Sequence, residues 1–159
     1  MKKNILRICT LALGLAGAQS MLPAQNTQTQ TLEGVWDVTV TVTNCQTGAL
    51  IRTVRSMQMF LQDGSFTESA NTAARGISVG SWMRVSGPMY SATYWFFRYN
   101  PDGTFASFAQ ALDTVTLTED GSHFGSAGTI QDFDATGKSI SIGCFVHQAT
   151  RLVPPLRGN

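Results

Sequence analysis

The chain has 159 residues, with eleven Lys or Arg against ten Asp or Glu and a net charge of +1, and only 13% of its side chains are charged. That is about half the usual share of a soluble domain, and it excludes the basic surface that nucleic-acid binding needs. With 43% hydrophobic residues, the length suits one domain with a core of its own.

Residues 1–18 read as a secretory signal peptide. Basic Lys2, Lys3 and Arg7 precede an apolar run, 8–18, too short to span a bilayer, and small Ala16 and Ala18 fit cleavage after Ala18, with Ala24 as a second candidate. Removing this segment takes Cys9 and three basic residues with it, leaving eight basic against ten acidic side chains, a charge of −2. No transmembrane anchor is expected, and the product is secreted or periplasmic. It keeps Cys45 and Cys144, whose default state after export is a structural disulfide. Residues 19–32, ending in alternating Gln and Thr, read as a flexible polar lead. The folded domain is expected over 33–154, with a tail at 155–159.

From Gly34 the period is two. Trp36, Val38, Val40 and Val42 alternate with Asp37, Thr39, Thr41 and Thr43, the pattern of a half-buried strand. Further strands are predicted at 52–62, 65–70, 79–86, 89–100, 104–118, 122–133 and 139–152, and no segment shows helical spacing with caps. Asp63-Gly64, Asp102-Gly103 and Asp120-Gly121 stand between extended runs as tight-turn signals, with Gly87-Pro88 and Thr136-Gly137 as two more. The fold class is therefore all-β: a single eight-stranded antiparallel up-and-down barrel whose first and last strands pair, leaving no raw edge. A register that sets Cys45 opposite Cys144 places Arg151 opposite Val38, one same-face step from Trp36, so the guanidinium reaches over the indole.

A Gly34-x-Trp36 start to the first strand after a signal peptide, with Arg151 near the end of the last, resembles the lipocalin-like, or calycin, superfamily of secreted barrels. The resemblance implies a structural role for Trp36 and Arg151, with the tryptophan plugging the narrow end and the arginine packing across it. The chain departs from the family in lacking Thr-Asp-Tyr near Glu119-Asp120-Gly121 and in ending at Asn159 without room for a helix after Arg151. Avidins share the Gly-x-Trp start, but Asp37–Thr43 holds no counterpart of their ligand-gripping Asn and Ser. Allene-oxide-cyclase and dirigent-type barrels also share the architecture.

A two-residue turn at Asp63-Gly64 pairs Leu61 with Phe66 and Met59 with Glu68, which would turn Met57, Met59, Phe66 and Glu68 toward the lumen. A carboxylate there is either shifted toward its protonated form or paired with a cation. His147 shares the face of Trp36 and Arg151, next to Phe145. Pairing Leu117 with Phe124 across Asp120-Gly121, carried back along an unbroken strand, sends Phe105, Phe96 and Arg98 inward with Tyr94. An arginine beside a tyrosine suits a ligand carboxylate.

No nucleophile motif, phosphate loop or metal-ligand set is present. No catalytic residue, metal or cofactor is assigned, and the balance is against an enzyme. The leading expectation is small-molecule binding in the lumen: one mostly apolar molecule, neutral or acidic, against Val38, Val40, Met57, Met59, Phe66 and Phe145, with Arg98, Glu68 or His147 as polar anchor. The alternatives are a cyclase or isomerase using Glu68 and His147 as acid and base, or an interaction module. In the latter, an outer stripe of Ile140, Ile142 and Val146 favours a homodimer.

Overall fold

In a computed structural model, described here over residues 30–152, eight strands follow one another around a closed antiparallel barrel, β1 pairing with both β2 and β8. They are β1 (Gly34–Thr43), β2 (Leu50–Phe60), β3 (Ser65–Ala70), β4 (Ser78–Ser86), β5 (Met89–Tyr99), β6 (Phe105–Leu117), β7 (His123–Phe133) and β8 (Ser139–Leu152). The signal-peptide reading, its cleavage sites and the tail at 155–159 lie outside the described residues.

Alternation explains the core. Trp36, Val38, Val40 and Val42 of β1 are buried, and on β5 and β6 the inward rings of Tyr94 and Phe96 face the alanines Ala111 and Ala109 across the ladder. Large against small at facing positions lets a narrow barrel fill without overpacking.

The β1–β8 ladder closes two residues away from the expected register. Trp36 lies directly opposite Arg151, and Thr43, not Cys45, opposite Cys144. Cys45 sits beyond β1 in a turn organised by Asn44, whose Oδ1 accepts from the N–H groups of Gln46 and Thr47 at 2.9 Å. From there it forms the disulfide with Cys144, with Cα atoms 5.0 Å apart. A shift of two keeps every side chain on its face, so Trp36 and Arg151 still point inward.

The β2–β3 hairpin differs by one residue, and that reverses a strand. Leu61 N–H donates to Ser65 O at 2.9 Å and Gly64 N–H to Leu61 O at 3.0 Å, with Gly64 at φ 83°. This is a three-residue loop, a turn followed by a left-handed glycine, where a two-residue turn was expected. Gln58 therefore pairs with Glu68 and Phe60 with Phe66. Phe66 and Glu68 are buried as expected, but Met57 and Met59 face outward, Met57 with 62% of its surface exposed. Gln58 and Phe60 take their places on the lumen wall. A second slip occurs at the start of β6, where a bulge beside Arg98 turns Phe105 outward and leaves Arg98 paired with Ser107 on the inner face.

One end of the barrel is plugged. Leu32, the last residue assigned to the polar lead, is fully buried, and its carbonyl accepts a 2.9 Å hydrogen bond from Trp36 Nε1. The Trp36 ring meets Phe124 edge-on at 4.8 Å and carries the Arg151 guanidinium 4.1 Å above its centre. Arg151 also donates to the carbonyls of Gly121 (2.7 Å), Thr31 (2.6 Å) and Glu33. The opposite end, ringed by the loops 44–49, 71–77, 100–104 and 134–138, is the mouth.

Candidate functional site

Polar side chains enter this apolar lumen in two groups. The first centres on Glu68 of β3. Ser78 of β4, its ladder partner, donates to Glu68 Oε2 at 2.8 Å, and Gln58 Nε2 reaches Oε1 at 3.4 Å. Arg75 completes the group from the β3–β4 loop. That loop is laid against the end of β5 by Gly76 N–H to Phe97 O and Tyr99 N–H to Ala74 O, each 2.9 Å. The Arg75 side chain thereby turns into the barrel, pairs with Glu68 and Ser78, and stacks 3.7 Å over the Phe96 ring. Burial alone would raise the Glu68 pKa. The Arg75 charge, with help from His147, the bonded Ser78 hydroxyl and the nearby Ser56 hydroxyl, which lies outside hydrogen-bond geometry, outweighs it and holds the carboxyl below its ordinary value.

The second group joins β6, β7 and β8. Asp113 Oδ2 accepts from Ser126 at 3.1 Å, and His147, cross-strand partner of Ser126, brings Nδ1 to 3.2 Å from the same oxygen but off the line a hydrogen bond needs. The imidazole stacks on Phe145 at 4.6 Å. Phe145 in turn lies over Gly128, where a Cβ would collide with the ring. Tyr94 is buried with both groups, and its pKa is raised by burial first and by the Glu68 and Asp113 carboxylates second.

These two groups hold every buried side-chain polar atom that lacks a partner among the described residues: Ser56 Oγ, Gln58 Oε1, Arg75 Nε, Asp113 Oδ1 and His147 Nδ1. All five belong to residues of the lumen wall or its entrance. Two are acceptors only, Arg75 Nε is a donor, and the hydroxyl and imidazole can serve as either. A polar atom left unpaired in such a place costs about 1–3 kcal/mol.

Nearer the mouth, Arg98 Nε donates to Asp132 Oδ1 at 2.5 Å, and Asp132 is held from its other oxygen by Ser141 at 3.0 Å. No other described group bonds the Nη nitrogens of Arg98. Across the opening Arg52 stands at the rim, its pKa lowered by lost hydration and by the charges of Arg98 and Arg75. A cavity of about 380 Å³ opens between them, with Val42 and Ile130 on its apolar side.

The fold thus collects Glu68, His147, Tyr94, Phe96, Phe66, Phe145 and Arg98 within one barrel and leaves Met57 and Met59 outside it. It adds residues that sequence reasoning passed over. Asp113 was legible, since it occupies an inward step of the Ala109, Ala111, Val115, Leu117 alternation. Arg75 was not, because it lies on a loop whose path no periodicity describes. His123 sits on the outer surface opposite Thr150, three residues along the ladder from His147 and on the other face, and no cluster of three or more metal-ligating side chains occurs among the described residues. No family model, curated protein or solved structure matches the chain.

Proposed function

We propose that this is a lipocalin-like carrier that takes one small, mostly apolar molecule with a polar end through its mouth. The observation that carries the reading is the convergence of five unpartnered polar atoms on one lumen. Natural cores satisfy nearly all their buried polar groups, so a cluster of exceptions in one place favours a guest that completes them. The apolar rings of Phe66, Phe96 and Phe145 suit the rest of such a guest. In the cavity just inside the mouth, Arg98 and Arg52 face the single carboxylate of Asp132, which favours an acidic group at the outer end of the ligand.

Glu68 supports binding better than proton transfer. A carboxylate locked to Arg75 and the Ser78 hydroxyl is held ionised, the wrong state for a general acid.

The test is fluorescence titration with an apolar probe, followed by displacement with a medium-chain carboxylic acid and the matching alcohol. The protein should bind the probe, and Arg98→Ala should weaken the acid at least tenfold more than the alcohol. Asp132→Asn, which frees Arg98 Nε, should strengthen the acid. Equal effects on both ligands remove Arg98 as an anchor, and no displaceable binding of any probe overturns the carrier reading.

A further inference from the structure

The outer wall is chemically unlike an ordinary protein surface. Outward positions from Met89 to Phe97 on β5, from Phe108 to Thr116 on β6 and from Gly125 to Phe133 on β7 carry no Asp, Glu, Lys or Arg. Among the described residues, charges stand in the turns, in the lumen and its rims and at one outer pair on the strands, Asp37–Arg55.

On this uncharged wall lies an aromatic cluster that the core does not use. Phe97 pairs with Phe108 and Phe108 with Phe133 across the ladders. The Phe108 and Phe133 rings stack at 5.2 Å, Trp95 lies 6.1 Å from each, and Phe105 meets Phe97 at 6.0 Å. Phe97 is 56% exposed, Phe105 45% and Trp95 40%, with Leu112, Val79 and Ile77 exposed beside them. Together they offer on the order of 700 Å² of apolar surface, more than the ~300–600 Å² of a typical monomer's largest patch and close to the ~800 Å² each partner gives a standard interface.

We infer that this wall is a homodimer interface, in which β5–β7 of one chain pack face to face on β5–β7 of a second. A two-fold axis sets a patch against its own copy, so any charge near the axis meets its like. This wall has none. At its centre is Gln110, between Trp95 on β5 and Gln131 on β7. An amide both donates and accepts, so it can pair with itself across the axis, as neither a carboxylate nor an ammonium can. The stripe of Ile140, Ile142 and Val146 is also exposed and adjoins this wall through Gln131 and Ile142, which places it at the edge of the interface. A membrane fits less well, because the apolar residues flank the mouth while the loops that would enter lipid first carry Asp102 and Asp134.

Sedimentation velocity of the mature protein between about 1 and 200 µM, with no detergent, tests this directly. A dimer is expected. Gln110→Glu should convert it to monomer at neutral pH with its unfolding transition intact, Gln110→Lys should do the same, and an equimolar mixture of the two should recover a heterodimer. Met57→Glu, on the far wall, should leave the dimer unchanged. A native chain that stays monomeric throughout, a dimer indifferent to both Gln110 variants, or monomers that bind phosphatidylcholine vesicles in place of each other would each overturn the inference.

Discussion

Replacing Trp36 and Arg151, singly and together, tests the construction of the closed end. Trp36 is fully buried, and its loss leaves a large void against Phe124, so Trp36→Ala should cost about 3–5 kcal/mol. Arg151 contributes differently. Its guanidinium lies 4.1 Å over the indole and donates to three backbone carbonyls, from residues as far apart as Thr31 and Gly121. A cation-π contact contributes about 0.5–2 kcal/mol and each hydrogen bond to a charged donor about 1.5–3. The side chain is half-buried, which discounts all of these, so Arg151→Ala should cost about 2–4 kcal/mol. Arg151→Lys keeps a cation over the ring but loses the planar fork, and should fall between. Urea unfolding of the oxidised protein gives each value. Because the residues touch, the double variant should deviate from additivity by at least about 0.5 kcal/mol. Additive losses would mean that the closed end is held by two independent features, and the energetic reasoning for the plug would fail.

Acid should find the buried ion pair. The Glu68 pKa lies below its ordinary 4.5 in the fold, so the pair adds stability that is complete above that pH and lost as pH falls through the lower folded value. Glu68→Gln leaves Arg75 buried without its partner and should cost about 3–5 kcal/mol at pH 7, with a flatter loss below pH about 4.5. Parallel pH profiles for the two proteins would contradict this. The disulfide closes a loop spanning a separation of 99 residues, and removing it with the Cys45→Ala, Cys144→Ala double variant should cost up to roughly 4–5 kcal/mol in denaturant unfolding. No change would mean that the turn at Asn44 already fixes this end of the barrel.

Alternation and turn chemistry made the barrel readable, and the tie between Trp36 and Arg151 survived a two-residue error in register because such an error preserves faces. One-residue effects were not forgiven. Asp63-Gly64 fits two hairpin lengths, and the choice between them decides whether β2 presents Met57 and Met59 or Gln58 and Phe60 to the lumen. At Phe105 a bulge did the same, although Phe96 and Arg98 kept the expected face. The site was legible where it lies on regular strands, as at Glu68, Tyr94 and His147. It was hidden where a loop supplies the partner, as Arg75 does for Glu68.

The central claim, that the unpartnered lumen groups receive a guest, is tested most directly by native mass spectrometry. The oxidised protein should be purified from its own source without detergent or added lipid and sprayed from a volatile buffer. A mass above that of the polypeptide alone by one small molecule, lost on denaturation and absent from Asp113→Leu, a variant that fills a lumen position with an apolar side chain, is the predicted result. A spectrum at the bare chain mass, from protein that also binds no added apolar probe, would contradict it.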